Sequence, residues 1–196
     1  MHLLLIAGFL GSGKTTLVIQ LARAAREAGR RVAILVNEIG EIGIDDQLMR
    51  QLSLNVWELT SGCICCTLSG DLVSILQMLD ADYAPDLVLL EPSGAAEPGN
   101  ILKMLPYYRG RPLASVRSIT LIDPLRLPML YEVLTPLITA QIQRADLLII
   151  TKSDIASAEE IASARQIANE LNPAATVFCA SAKEKIDPEL IAELLR

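Results

Sequence analysis

The chain has 196 residues, 52% hydrophobic and 20% charged, with a formal net charge of −6. That size and composition suit one domain with a full core, and the acidic balance argues against a general nucleic-acid surface. No apolar run reaches the roughly 18 residues needed to cross a bilayer, and four cysteines, three of them crowded together, do not resemble a secreted disulfide framework. The first apolar run is short and flows straight into a glycine loop, which argues against a signal peptide. No repeat, low-complexity tract or long linker divides the chain. One domain over 1–196, in the cytoplasm, without nucleic-acid or membrane partners, is the expectation.

The apolar run 3–7 reads as a strand and leads into Gly8-Phe9-Leu10-Gly11-Ser12-Gly13-Lys14-Thr15. This has the form G-x-x-x-x-G-K-T, a nucleoside-triphosphate loop. Its glycines let backbone N–H groups turn inward around phosphates. Gly11, Ser12, Gly13, Lys14, Thr15 and Thr16 are therefore candidate nucleotide contacts. Lys14 places a point charge at the β/γ-phosphates, and the Thr15 hydroxyl is a candidate Mg²⁺ ligand. Leu17, Val18, Leu21, Ala25 and Ala28 then recur at helix spacing, and Gly29 supplies a stop. Strand, loop and helix in that order point a helix N-terminus at an anion.

Residues 31–36 predict a second strand. The acidic, glycine-containing stretch 37–46 follows, with Glu38 and Glu41. After a phosphate loop, such a stretch suits a switch segment ordered by Mg²⁺ and the γ-phosphate; the plainer alternative is a solvated acidic loop. Residues 54–59 predict a strand that opens onto Thr60-Ser61-Gly62-Cys63-Ile64-Cys65-Cys66. Leu72, Ile75, Leu76 and Leu79 then mark the buried face of a helix. Cys65 and Cys66 have Cα atoms about 3.8 Å apart, too close for an unstrained disulfide. A soft-metal site is the better account, with thiolates selecting Zn²⁺, Cu(I) or similar ions. A tetrahedral site needs a further ligand, such as Glu38, Glu41, water or a second subunit.

The run 86–91 ends in Glu91, as a strand that delivers an acid to a Mg²⁺ shell. Pro92-Ser93-Gly94 follow, and Gly94 can bring a backbone N–H near a γ-phosphate. Residues 95–112 carry three prolines and read as a broken helix and exposed loop. A buried strand at 116–122 ends at Asp123-Pro124, and helices punctuated by proline fill 125–144. A strand at 147–150 precedes Thr151-Lys152-Ser153-Asp154. A carboxylate at Asp154 can accept paired hydrogen bonds from guanine N1–H and the 2-amino group, a pair that adenine lacks. The Lys152 stem can lie along the base. After a strand at 176–179, the backbone of Ser181-Ala182-Lys183 can approach the guanine 6-oxo group. Residues 187–194 close the chain as a helix with Pro188 near its start. Cys179 is expected in the core, and His2 is expected to be a solvated terminal residue.

Gly8 to Thr16, the stretch from Asn37 to Glu41, Gly62-Cys63-Ile64-Cys65-Cys66, Glu91-Pro92-Ser93-Gly94 and Thr151-Lys152-Ser153-Asp154 occur in one order. That order resembles the CobW/HypB/UreG family of phosphate-loop GTPases, most closely its CobW branch. The resemblance implies GTP hydrolysis coupled to delivery of a metal or metallocofactor to a client metalloprotein. It implies that Glu38 is a switch acid near Mg²⁺ or the transferred metal. Cys65 and Cys66 would lie in the metal loop with Cys63 as third ligand, and Glu91 and Gly94 would sense the γ-phosphate. CobW-like proteins usually continue into a second domain, whereas this chain stops at Arg196, so the GTPase domain alone is expected. Histidine-rich loading segments are missing, which favours a one-site switch over a store. The guanine motif begins with Thr151 rather than asparagine.

The expected fold is α/β: a mostly parallel sheet of about seven strands, helices on both faces, and nucleotide at the strand C-terminal ends. The expected function is a Mg²⁺-dependent GTPase acting as a metallochaperone or metalloenzyme activator, with Zn²⁺, Co²⁺ or Ni²⁺ as the carried metal. Unassisted turnover is expected at about 10⁻⁴ to 10⁻² s⁻¹, and a homodimer with GTP or metal is a further expectation. Two other readings use the same motifs: a small-molecule kinase, and a thiol or metal sensor in which hydrolysis is incidental.

Overall fold

The computed structural model describes residues 1–36, 55–58, 68–181 and 186–196. Strand β1 (His2–Gly8) passes through the glycine loop into α1 (Lys14–Glu27), and β2 (Val32–Val36) follows. Next come β3 (Asn55–Glu58), α2 (Leu68–Asp82), β4 (Leu87–Glu91), α3 (Pro98–Leu102) and a short 3₁₀ turn (Leu105–Tyr107). The chain continues through β5 (Ser115–Ile122), α4 (Leu127–Val133), α5 (Thr135–Gln143) and β6 (Leu147–Ile150). It ends with α6 (Ala158–Leu171), β7 (Thr176–Cys179) and α7 (Pro188–Leu194).

The described strands form one sheet of seven in the order β3-β2-β4-β1-β5-β6-β7, with every neighbouring pair parallel. Parallel strands need covering on both faces, and β1 accordingly reads as an unbroken apolar run. Its alternate residues serve opposite layers. Leu4 and Ile6 pack with Leu17, Val18, Leu21 and Ala25 of α1 and with Leu190 and Leu194 of α7. Leu3 and Leu5 pack with Leu72, Leu76 and Leu79 of α2. Further along that second face, Ile122, Leu148 and Ile150 pack with α4, α5 and α6. Among the described residues, no helix is long and apolar enough to cross a membrane.

Three expectations are corrected. Ala28 is the exposed C-cap of α1 and lies outside the buried stripe. Cys179 is exposed: among the described strands β7 pairs only with β6, and its last residue meets the open side of the sheet. His2 is no free terminus: it begins β1, and its Nδ1 lies 2.8 Å from Ser115 Oγ on β5.

The parallel register brings the ends of the strands to one edge. Gly8 stands beside Leu121, Val36 beside Glu91 and Ile122 beside Ile150. The turn out of β1 is tight. Gly8 has φ +137°, and a Cβ there would sit 2.6 Å from the Leu121 carbonyl oxygen. Gly29, which ends α1, also has a positive φ (+78°), but a Cβ there would meet open space. Gly29→Ala should therefore cost only the left-handed backbone strain, about 1 kcal/mol. Gly8→Ala adds a clash with backbone that cannot move aside and should cost about 3 kcal/mol or more. Urea denaturation of both variants checks this; equal losses would contradict it.

Candidate functional site

The C-terminal edge of the sheet gathers four loops: 8–15 after β1, 91–96 after β4, 123–126 after β5 and 151–156 after β6. Helix α1 starts at the first of them, and its N-terminus is unusual in what it lacks. Its N-cap is Gly13, in the left-handed region at φ +95°, with no side-chain cap and no acid in the first turn. Helix α6 shows the ordinary solution. There Ser157 accepts a hydrogen bond from the Glu160 N–H, the Glu160 carboxylate accepts one from the Ser157 N–H, and Glu159 and Glu160 occupy the first turn. The first N–H groups of a helix need partners and carry its positive end. In α1 no side chain caps them, an arrangement that suits an anion at the helix N-terminus.

Lys14 and Thr15 open that helix. Lys14 is buried, and its ammonium donates to the Phe9 carbonyl at 3.3 Å. Burial pulls its pKa down, and the charge of Glu91 partly restores it. Thr15 Oγ1 donates to Glu91 Oε1 at 2.7 Å. Glu91 is itself buried, which pushes its pKa up against the opposing effects of the Thr15 bond and the Lys14 charge. Its second oxygen, Oε2, and the buried Ser12 hydroxyl have no hydrogen-bond partner among the described residues. Buried polar atoms are seldom left unmatched. A hydroxyl and a carboxylate side by side are the hard oxygen donors that Mg²⁺ takes, so the donor set fits that ion. Thr16, next in the helix, is exposed.

Gly94 abuts the same loop. A Cβ there would lie 2.5 Å from the Leu10 nitrogen, so only glycine fits. The 91–96 turn is held from behind by a residue that the motifs do not reveal. Gln141 of α5 is buried, and its Nε2 donates to the Gly94 and Ala96 carbonyls at 3.1 and 3.0 Å. Its own backbone carbonyl accepts from Thr120 Oγ1 at 2.8 Å. The sequence carries one signal of this: Gln141 is a polar residue on the same face of its helix as the buried Ile138 and Ile142.

A second unforeseen residue is Arg126. Its Nη1 donates to the Leu10 carbonyl at 2.9 Å, and its guanidinium carbon stands 5.6 Å from the centre of the Phe9 ring. A third is Asp123. Its Oδ2 accepts from Lys152 Nζ at 2.6 Å, and its Oδ1 accepts from the Leu125 N–H. Lys152 has a left-handed φ of +57°, and its carbonyl accepts from the Ile155 and Ala156 N–H groups, which closes the turn that carries Asp154. Asp154 is exposed. Thr151 is buried, with its hydroxyl donating to the Ile122 carbonyl. Ser181 is buried nearby, and a cleft lined by Ser153, Cys179, Ser181, Ile186 and Asp187 opens beside it.

Ala182 and Lys183, expected at the base, lie outside the described residues, as do Cys63, Cys65, Cys66, Glu38 and Glu41. Among the described residues, no three His, Cys, Asp or Glu side chains gather to hold a metal. Strands β2 and β3 end on the site edge at Val36 and Glu58, from which the chain continues toward those positions.

Comparison with known proteins agrees with this arrangement. The description "CobW/HypB/UreG, nucleotide-binding domain" matches residues 2–179. The chain is 32% identical, over an alignment of 220 residues, to "Zinc chaperone CobW" of Pseudomonas aeruginosa, covering 95% of this chain and 58% of that protein. It is 28% identical over 185 residues to "Zinc-regulated GTPase metalloprotein activator 1" of Schizosaccharomyces pombe, covering 89% of this chain and 44% of that one. It thus spans about half the length of these curated relatives. The crystal structure of the hydrogenase maturation factor HypB from Archaeoglobus fulgidus superposes with a TM-score of 0.68 at 18% identity, covering 100% of this chain and 91% of that one, a likeness of fold. With the family description matched over nearly its whole length, the chain belongs to the CobW/HypB/UreG family, in that family's nucleotide-binding domain.

Proposed function

We propose that this domain binds and hydrolyses GTP with Mg²⁺ and acts as a metallochaperone or metalloenzyme activator. The observation that carries the nucleotide half is the Thr15–Glu91 bond at the uncapped start of α1. It sets an anion site and a hard-cation site side by side, with Lys14 buried between loop and strand. In this reading the N–H groups of Gly11 to Thr16 hold the phosphate chain, and Lys14 leaves the Phe9 carbonyl for a phosphate oxygen. Mg²⁺ between Thr15 and Glu91 would neutralise charge on the phosphates. The Gly94 turn, pinned by Gln141, keeps its backbone against the loop at Leu10. Asp154 is the group that prefers guanine over adenine, with Thr151 and Lys152 shaping its turn and Ser181, Ala182 and Lys183 on the other side of the base.

The metal half is supported by the relatives' names, which speak of a zinc chaperone and a zinc-regulated metalloprotein activator. Zn²⁺ is accordingly the first choice of cargo, with Co²⁺ and Ni²⁺ compatible with the same ligands. Cys63, Cys65 and Cys66 are its proposed ligands, completed by Glu38 or Glu41. In this reading the sheet is the route between the two sites. β4, which carries Glu91, lies between β1 and β2, and β3 is the next strand out. Three strand spacings, about 14 Å, therefore separate β1 from β3. The client would be a metalloprotein, the setting the cytoplasm, and the protein would form a homodimer with GTP or metal.

Three measurements test this reading. Asp154→Ala should weaken GTP binding about 10- to 100-fold, the cost of losing a paired, charged hydrogen bond, while ATP binds no better to either form. Calorimetry decides, and equal affinities of the unaltered protein for GTP and ATP would favour a kinase.

Glu91→Gln should lower turnover by at least about a hundredfold and yet raise the thermal midpoint of the ligand-free protein at pH 7. The sign follows from the raised pKa: the folded protein binds that proton more tightly than the unfolded chain. Ionised Glu91 therefore opposes folding at neutral pH, and the penalty lifts as pH falls through the folded-state pKa. The gain in midpoint should shrink correspondingly in acid. A lower midpoint at pH 7 would contradict this.

Cys65→Ser combined with Cys66→Ser should abolish zinc binding in competition with a chromophoric chelator. It should also remove any zinc dependence of GTP turnover. Turnover and a zinc response left unchanged by these substitutions would favour the sensor reading, in which hydrolysis is incidental.

A further inference from the structure

We infer that Arg126 is a positioning residue for the phosphate loop, acting through the Leu10–Gly11 peptide; this rests on the phosphate-binding role proposed above. The geometry supplies the reason. A trans peptide is planar, and its carbonyl and N–H point in opposite directions. The Arg126 guanidinium holds the Leu10 carbonyl at 2.9 Å. The Gly11 N–H of the same peptide unit is thereby turned the other way. Gly94 confines the preceding Phe9–Leu10 peptide, on which this unit hangs, since a methyl group there would sit 2.5 Å from the Leu10 nitrogen and about 3 Å from the Leu10 α-carbon and the Phe9 carbonyl carbon. The cation also polarises the peptide it bonds, which strengthens the opposite N–H as a donor.

Arg126 is suited to this single task. Among the described residues its guanidinium meets no carboxylate, and its described contacts are the Leu10 carbonyl and the Phe9 ring. A Cβ on Gly11 would lie only 3.4 Å from its Nη1, so the side chain stands directly over the loop. Its backbone is fixed as well: the Arg126 N–H donates to the Asp123 carbonyl, and residue 126 is the N-cap of α4. The planar fork of arginine bonds such a carbonyl with less loss of freedom than lysine does.

The test is calorimetry of the full chain with GTP and with inorganic tripolyphosphate, beside steady-state turnover, for the unaltered protein, Arg126→Ala and Arg126→Lys. Arg126→Ala is expected to weaken both ligands by about tenfold, as for one charge-assisted contact, with thermal unfolding still cooperative. Arg126→Lys should recover part of the affinity. Free guanidinium at low millimolar concentration should restore binding and turnover to Arg126→Ala while leaving the unaltered protein unchanged. A role confined to packing on Phe9 predicts a lower thermal midpoint with unchanged affinities, and that result overturns the inference. So does a loss that neither lysine nor guanidinium repairs. If the unaltered protein binds tripolyphosphate but not GTP, the guanine reading fails and the Arg126 comparison still decides on tripolyphosphate. If it binds neither, both fall.

Discussion

Positive charge is concentrated at the start of α1 in a place where the fold has arranged little to neutralise it. The helix end has no side-chain cap, Lys14 is buried beside it, and Glu91 answers only part of the charge. Each of these would be a fault in a purely structural helix, since cations belong at the other end of the dipole. They become consistent together if an anion completes the set. Glu91 and Thr15 are 76 positions apart in sequence. They meet because β4 pairs in parallel with β1 and both strands end on the same edge. The continuous apolar runs that force these strands into the centre of the sheet are thus what place a carboxylate beside a phosphate loop. Burial of β1 and β4 on both faces and the chemistry at their tips are one constraint.

The fold was largely legible in the residues, for a physical reason. Doubly covered parallel strands must be apolar along their whole length, and loops at their ends must be polar and rich in glycine. Residues 3–7, 31–36, 86–91 and 147–150 show both features, and the strands lie there. The failures fall where that logic weakens. Among the described strands β7 has only one neighbour, so its apolar composition does not bury it, and Cys179 ends up exposed. His2 could not be paired with Ser115 without knowing that β5, more than a hundred residues later, lies beside β1.

Within the candidate site, the residues that belong to compact motifs were legible: Gly8 to Thr16, Glu91, Gly94 and Asp154. Those that support them were not. Gln141, Asp123 and Arg126 each act on backbone carbonyls or on a lysine far away in sequence, and contacts of that kind leave no spacing to read. A glutamine that bonds two carbonyls looks like any helical glutamine. Its single trace is a polar side chain in an apolar stripe. Arg126 leaves less, because an arginine before a short helix is ordinary. Supporting residues of this sort hold geometry rather than ligand, so no motif records them.

These supports join loops that would otherwise move apart. Lys152 is bound to Asp123, whose carbonyl holds the Arg126 and Leu127 N–H groups. Arg126 in turn holds Leu10, and Leu10 lies against Gly94, which Gln141 holds from the other side. The chain of contacts runs from the proposed base loop, across the turn after β5, through the phosphate loop, to the turn after β4. Every link is a hydrogen bond or a close backbone contact, and two of its carbonyls are bonded by buried or half-buried side chains. A ligand seated across these loops would therefore find them already set relative to one another, and little ordering would be needed between the first and third strands of the β1-β5-β6 series. The segments after β2 and β3 leave the same edge at Val36 and Glu58. Among the described residues, β2 meets this network where Val36 pairs with Glu91 of β4.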